Sequence, residues 1–151
     1  MPVAEIETWL GRLSIEERDG AITRLQWNGP PSQEETPLLK EAASQVNAYL
    51  DGRLKEFSLP LAPKGGDLHQ AVFKAMLAIP YGETRTYGDI AKDLDTYGQP
   101  IGQACGANPI PIIIPCHRIL SANSLGGYSG QGSTETKIAL LKLEGGFPFL
   151  L

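Results

Sequence analysis

Apolar and polar residues alternate along two stretches near the start of the chain. Leu13 and Ile15 alternate with polar neighbours, and Leu25 and Trp27 do the same after the turn pair Asp19-Gly20. Alternation is typical of a half-buried strand, and Asp-Gly favours a two-residue turn. The pattern therefore predicts a β-hairpin.

Helical spacing replaces the alternation after residue 35. Thr36-Pro37 is a typical helix start, because a threonine can cap the first turn and proline suits the first helical position. Apolar residues then recur at three- and four-residue intervals, namely Leu39, Ala42, Val46 and Leu50. Asp51-Gly52 should end this helix.

The second half of the chain is mostly helical in its pattern. Capping-box sequences begin at Asp67 and at Thr86, a helix of small residues is predicted over 100–107, and a last helix includes Lys137 and Glu144. The second and third of these helices are separated by a short turn, which suggests a helix-turn-helix. An apolar run fenced by prolines, residues 110–115, then leads directly to Cys116.

The Pro/Gly-rich segment Pro60–Gly66 divides the chain in two. The predicted domains are residues 1–62, an N-terminal unit, and residues 67–151, a second unit, with a linker at 63–66. A length of 151 residues and a hydrophobic fraction of 42% suit one domain or two small ones with a packed core.

Net charge and apolar runs limit the classes of protein that fit. The formal charge of −4 gives no global attraction to a polyanion, and most of the acidic excess lies in residues 1–66, which hold seven Lys/Arg against ten Asp/Glu. No apolar run is long enough for a membrane span, and the N-terminus lacks the pattern of a signal peptide. A cytoplasmic protein with no membrane partner is expected.

Cysteine and histidine are scarce, so their positions are informative. The two cysteines, Cys105 and Cys116, fit a reducing compartment, and the two histidines, His69 and His117, have no zinc-ligand spacing. No metal site is expected. The adjacent pair Cys116-His117 could form an activated nucleophile, whereas a buried structural cysteine is the ordinary alternative.

The segment around Cys116 resembles the signature of the O6-alkylguanine-DNA alkyltransferases, the methylated-DNA–protein-cysteine methyltransferases. The similarity rests on an Asn-Pro, an apolar run and Pro-Cys-His-Arg, together Asn108–Arg118 (NPIPIIIPCHR). It continues in Phe73–Ala91, Gly126–Gly130 and Leu140–Gly145, and more weakly in Leu10–Trp27. The chain is therefore similar to this family over nearly its whole length.

The resemblance implies direct-reversal DNA repair by a methylated-DNA–protein-cysteine S-methyltransferase that acts once. A damaged nucleotide is flipped out of the duplex, and Cys116 takes the alkyl group from O6 of guanine. By the same resemblance, His117 accepts the thiol proton and Glu144 orients the imidazole. No cofactor is implied, and the partner is DNA that contains O6-alkylguanine.

Other site residues also follow from the resemblance. Tyr87 crowds the target phosphate and donates toward the base, Asn108 ties the DNA-binding helix to the cysteine segment, and the carbonyls of Cys116 and Ile119 read the guanine amino group. Tyr128 and Ser129 cover the pocket. Pro115 and Arg118 are structural neighbours of the site.

One position departs from the family pattern. The family places an intercalating arginine in the DNA-binding helix, and Gln99 occupies that position here. Gln99 could hydrogen-bond the orphaned base but brings no charge, so the departure bears on base flipping and duplex preference and leaves the cysteine chemistry intact.

The expected fold class is α+β: a small N-terminal α/β unit with an antiparallel sheet packed on a mostly helical, winged-helix-like C-terminal DNA-binding unit, acting as a monomer. Two other functions stay open. One is a non-catalytic lesion-recognition protein of the same fold, and the other is a hydrolase that uses the Cys-His pair. Stoichiometry separates the three, because they predict one transfer per chain, none, or many.

Overall fold

A three-stranded antiparallel sheet opens the fold. The computed structural model describes residues 1–121 and 134–145 and divides the chain into two units, Met1–Lys64 and Gly65–Leu151. In the first unit the strands are β1 (Val3–Thr8), β2 (Gly11–Arg18) and β3 (Ala21–Trp27), in the order β1-β2-β3.

The predicted hairpin is confirmed as β2 and β3. Asp19 and Gly20 both have positive φ, at 51° and 80°, as a two-residue turn that follows the twist of the strands requires. Strand β1 was not predicted. Its sequence begins with two adjacent apolar residues, Val3 and Ala4, both buried, and so lacks the apolar–polar alternation that Leu13 and Ile15 show in the sequence of β2.

Helix α1 (Pro37–Leu50) packs against β1 and β2. As predicted, Thr36 is its N-cap and accepts a hydrogen bond from the Leu39 backbone N–H at 3.1 Å. The chain leaves the helix at Gly52, whose φ is 78°. The side chains that α1 buries against the sheet are almost fully excluded from water, including Leu39, Val46 and Tyr49.

The second unit is mainly helical among its described residues. Its elements are α2 (Asp67–Leu77), β4 (Arg85–Thr86), α3 (Tyr87–Asp93), α4 (Gly98–Gly106), a 3-10 helix (Cys116–Arg118), β5 (Ile119–Leu120) and α5 (Thr134–Glu144). The short strands β4 and β5 pair in parallel, and both α2 and α3 pack on α4. The α+β fold class is confirmed.

The two predicted capping boxes have different outcomes. Thr86 caps α3 in a complete box, since its hydroxyl accepts from the Asp89 N–H and the Asp89 carboxylate accepts from the Thr86 N–H, both at 3.0 Å. The box at Asp67 is wrong. Asp67 is already the first residue of α2, the N-cap is Gly66, and no side chain caps this helix.

Helix α4 starts earlier than predicted. It begins at Gly98 rather than at Pro100, with Tyr97 as its N-cap. The apolar run before Cys116 is buried, and its backbone forms a series of turns. Ile112 has φ 75° there, which a β-branched residue rarely adopts, so extended pairing is interrupted.

The unit boundary at Lys64/Gly65 falls inside the segment predicted as a linker, and the domain limits proposed from the sequence stay predictions. Within residues 1–121 and 134–145, no helix combines the length and the apolar character that crossing a membrane demands.

We predict that Thr86→Ala lowers the free energy of unfolding by about 1 kcal/mol, because the first turn of α3 loses its side-chain cap. Urea unfolding of the full chain measures this. Thr86→Ser is the matched control, since it keeps the accepting hydroxyl. Equal midpoints for the alanine and serine variants would show that the cap contributes nothing.

Candidate active site

Cys116 lies in a tight turn that the preceding prolines and isoleucines shape. Its backbone N–H donates to the Ile114 carbonyl at 2.8 Å, and the Arg118 N–H donates to the Pro115 carbonyl at 3.0 Å. Pro115 is the N-cap of the 3-10 helix that carries Cys116. The cysteine is 4% exposed, so its environment is set almost wholly by protein groups.

Asn108 holds the segment that delivers this turn. Its amide nitrogen donates to the Ile114 carbonyl at 2.9 Å, and its amide oxygen accepts from the Ile110 N–H at 3.0 Å. These two bonds span the left-handed backbone at Ile112, a conformation that costs about 1–3 kcal/mol and persists only when its surroundings fix it. Asn108 therefore links the end of α4 to the cysteine turn.

The Glu144 carboxylate accepts hydrogen bonds from both residues that follow the cysteine. His117 Nε2 lies 2.8 Å from Oε2, and Arg118 bonds both carboxylate oxygens, through Nε and Nη2, each at 2.8 Å. The Arg118 Nη1 donates to the Ile79 carbonyl at 2.7 Å. The side chains of His117 and Glu144 are fully excluded from water.

Arg118 was predicted as a structural neighbour of the site. It bonds the Ile79 carbonyl, and its bidentate pair with Glu144 was not predicted. Glu144 is the last residue of α5, where the helix dipole disfavours a carboxylate. The positive charge of Arg118 offsets this unfavourable effect. A guanidinium held in this planar geometry keeps the carboxylate ionised.

Burial lowers the pKa of His117 below its ordinary value. The Glu144 carboxylate opposes this shift, whereas the Arg118 and Lys137 cations reinforce it. The imidazole is therefore neutral near neutral pH. Because an ionised carboxylate can only accept, the proton is inferred to lie on Nε2, which makes Nδ1 the basic nitrogen of the ring.

Two further residues of the Glu144 environment come from the turn after α2. The Tyr81 hydroxyl donates to the Leu143 carbonyl at 3.2 Å, and its ring centroid lies 5.8 Å from the Arg118 guanidinium carbon. Gly82 has φ 83°, and a Cβ there would come within 3.1 Å of the Glu144 backbone oxygen.

Lys137 is a buried neighbour of the cysteine turn that was not predicted from the sequence. It lies on α5 with no exposed surface, and its Nζ donates to the Ile119 carbonyl at 2.6 Å. The same nitrogen is 6.0 Å from the centroid of the Tyr87 ring. A fully buried lysine is rare, but the sequence alone shows only a lysine at an ordinary helical position.

The remaining predicted residues fall into three groups. Tyr87 is half-buried at the start of α3, and Ile119, which bonds the Cys116 carbonyl directly, is fully buried. Lys137 bonds the Ile119 carbonyl, and its Nζ lies 6.0 Å from the centroid of the Tyr87 ring. Gln99 is exposed at the second position of α4, beside Tyr97, whose side chain is 79% exposed. Tyr128 and Ser129 lie outside the described residues.

Cys105 is buried in α4, and burial raises the pKa of its thiol to about 12. It is thus a neutral thiol near neutral pH, as suits a side chain packed in the core. Among residues 1–121 and 134–145, His, Cys, Asp and Glu side chains do not gather in any group of three or more that could hold a metal ion.

Comparison with known proteins extends these observations. The family model described as "6-O-methylguanine DNA methyltransferase, DNA binding domain" matches residues 67–146, and the one described as its ribonuclease-like domain matches residues 3–63. The chain therefore belongs to the 6-O-methylguanine DNA methyltransferase family. The resemblance found in the sequence is confirmed.

Individual relatives agree with the family models. The constitutive methylated-DNA–protein-cysteine methyltransferase of Bacillus subtilis is 43% identical, over 91% of this chain and 92% of its own. A protein of that general name from Methanosarcina acetivorans is 45% identical, over 74% of this chain and 72% of its own. The crystal structure of Mycobacterium tuberculosis OGT in complex with DNA superposes with a TM-score of 0.86 at 37% identity, covering 96% of this chain and 93% of that one.

We predict that Glu144→Gln destabilises the protein by about 3–5 kcal/mol, because it leaves the buried Arg118 guanidinium without its counter-charge. Chemical denaturation of the full chain is the measurement. Glu135→Gln is the control, since Glu135 is an exposed carboxylate on the same helix. If both variants unfolded at the wild-type midpoint, the Arg118–Glu144 pair would have no net stabilising effect.

Proposed function

We propose that this protein repairs DNA by direct reversal, transferring the alkyl group of an O6-alkylated guanine to Cys116 once per chain. The observation that carries the proposal is the placement of Cys116 directly before a histidine and an arginine that share the buried Glu144 carboxylate. Membership in the methyltransferase family supports the reaction class.

The chemistry is a displacement at the alkyl carbon. The Cys116 thiolate forms a new S–C bond while the C–O6 bond breaks, and the departing guanine keeps the electron pair and takes up a proton. The alkyl group is already activated on the base, so this step calls for no cofactor. The thioether product is stable, and each chain therefore acts once.

Within this proposal, His117 accepts the thiol proton at Nδ1, its basic nitrogen in the neutral ring. Glu144 fixes the tautomer by accepting from Nε2 at 2.8 Å. Arg118 also bonds Glu144, and its positive charge opposes the rise in the His117 pKa that Glu144 alone would cause. His117 therefore stays neutral and able to accept a proton.

The residues expected to contact the base have supporting geometry. Tyr87 begins α3 beside the site and would donate toward the base. The Cys116 carbonyl already accepts from the Ile119 N–H, and the Ile119 carbonyl accepts from Lys137. Each oxygen has a second lone pair with which to read the guanine amino group. The lid roles of Tyr128 and Ser129 remain predictions.

Helices α3 and α4 would form the DNA-binding face. The presence of DNA in the superposed Mycobacterium tuberculosis structure supports a DNA partner for this fold. We propose that Gln99, exposed near the start of α4, fills the space left by the flipped base, with the exposed Tyr97 ring beside it. The acting species would be a monomer in the cytoplasm.

Transfer to Cys116 is tested with a duplex that contains one O6-methylguanine. We expect the intact mass to rise by one methyl group per chain, and the modified peptide to be the one that contains Cys116. Cys116→Ser should gain none and should leave the lesion in place. Cys105→Ser is the matched control and should still be methylated.

Other stoichiometries would contradict the proposal in distinct ways. Lesion binding with no mass gain in the wild-type protein would favour a recognition protein. Loss of the lesion from many duplexes per chain, with the protein mass unchanged, would favour a hydrolase.

A second prediction concerns the missing charge on α4. Gln99→Arg should tighten duplex binding and should steepen the dependence of log affinity on log salt by about one unit, if the new cation contacts a phosphate. Fluorescence anisotropy over a series of salt concentrations measures both quantities.

Gln33→Arg is the control, because it makes the same charge change at an exposed position of the first unit. If both arginine variants changed binding equally, the effect would come from net charge, and α4 would have no special place on the DNA-binding face.

A further inference from the structure

Among residues 65–121 and 134–145, the buried side chains that are charged at neutral pH are Arg118, Lys137 and Glu144, two cations and one anion. The two hydrogen bonds between Arg118 and Glu144 account for one charge of each sign. An ammonium with no exposed surface is costly unless an anion lies nearby. The fold therefore favours an additional negative charge close to Lys137.

The imidazole of His117 does not supply the positive charge that a neighbouring thiolate needs. Its pKa is lowered, mainly by burial, and the cations of Arg118 and Lys137 push in the same direction. A neutral His117 can accept a proton, but it cannot act as the resting counter-charge of an anion. The candidate cation is then Lys137.

The position of Lys137 fits this role. Its Nζ lies 2.6 Å from the carbonyl of Ile119, and the Ile119 N–H in turn donates to the Cys116 carbonyl, so Lys137 bonds the short turn of backbone that begins with Cys116. The centroid of the Tyr87 ring lies 6.0 Å from Nζ. A negative charge on Cys116 or on Cys105 would raise the pKa of Lys137.

We propose that Lys137 is a positioning residue whose buried ammonium keeps Cys116 in its thiolate form. The role rests on the proposed function, in which Cys116 is the nucleophile, and adds the source of its activation. His117 and Glu144 then move the proton, whereas Lys137 stabilises the charge that remains on sulfur.

The other groups that face Lys137 are consistent with this division of roles. Burial and the neighbouring Cys116 raise the pKa of Cys105 to about 12, so Cys105 is a neutral thiol near neutral pH and does not compete for the ammonium. Arg118 is engaged by Glu144. Cys116 is thus the anion that Lys137 can stabilise.

Burial lowers the pKa of Lys137 to about 8, and a thiolate at Cys116 opposes that shift. Lys137 is charged below that pH, and its effect on Cys116 is lost as the pH rises through it. A variant without the charge should therefore differ from the wild type most at neutral and mildly acidic pH, and the two should converge in alkali.

The test measures the rate of Cys116 alkylation by iodoacetamide as a function of pH, with the modified peptide identified by mass spectrometry. Lys137→Met should raise the apparent pKa of Cys116 by about one unit or more, the usual effect of removing an adjacent opposite charge. Lys137→Gln should do the same, although its amide can still donate to the Ile119 carbonyl. Lys142→Met, which removes an exposed lysine from the same helix, should leave the profile unchanged.

A purely structural lysine would behave differently. If Lys137→Gln kept the wild-type profile, the hydrogen bond to Ile119 would be the whole role of Lys137, and the proposal would be overturned. A wild-type profile in Lys137→Met would overturn it as well. Methionine is an unbranched side chain of similar length to lysine and carries no charge for burial to penalise, so this variant is expected to fold.

A reciprocal measurement does not depend on a Lys137 variant being folded. In protein with isotope-labelled lysine side chains, the Lys137 pKa is followed by NMR in the wild type and in Cys116→Ser. Loss of the thiolate should lower the Lys137 pKa, because coupling between two sites acts equally in both directions. An unchanged Lys137 pKa would refute the proposal.

These results are separable from those that test the proposed function. Methyl transfer to Cys116 with an unchanged thiol profile in the Lys137 variants would uphold the repair reaction and reject the role of Lys137. A shifted thiol profile in the Lys137 variants, without any methyl transfer from O6-methylguanine, would uphold the role of Lys137 and reject the repair reaction.

Discussion

The shared carboxylate of Glu144 is the interaction on which the site depends. It accepts from His117 and Arg118 at 2.8 Å, and so ties the end of α5 to the turn that carries Cys116. Arg118 extends the connection to the Ile79 carbonyl at the end of α2. One ionised group thereby sets the tautomer of the histidine and joins three segments that are distant in sequence.

A second constraint acts on the backbone before the cysteine. The left-handed conformation at Ile112 interrupts what would otherwise be an extended run, and the side chain of Asn108 bonds the backbone on both sides of it. The left-handed backbone at Ile112 and the two Asn108 hydrogen bonds together turn the chain, and Cys116 begins a 3-10 helix just after this turn. Helix α4 and Cys116 are consequently joined by a short and well-fixed connection.

Local features of the fold were predictable because neighbouring residues determine them. The Asp19-Gly20 turn, the Thr36 cap and the capping box at Thr86 each depend on backbone geometry within four residues. The errors arose where a similar local pattern had another outcome. Asp67 fits a capping box as well as Thr86 does, yet α2 begins one residue earlier, at a helix start that no side chain caps.

The sequence by itself determined the family, the segment Pro115–Arg118 that carries the proposed nucleophile, and the helices around it, since these features depend on residues adjacent along the chain. Only the tertiary structure decided that Arg118 and its neighbour His117 share the carboxylate of Glu144, which lies 26 residues after Arg118. The same is true of the burial of Lys137 against Ile119, which lies 18 residues before it. Charge pairing depends on distance and on exclusion of water. Neither quantity exists until α5 has packed against the cysteine turn.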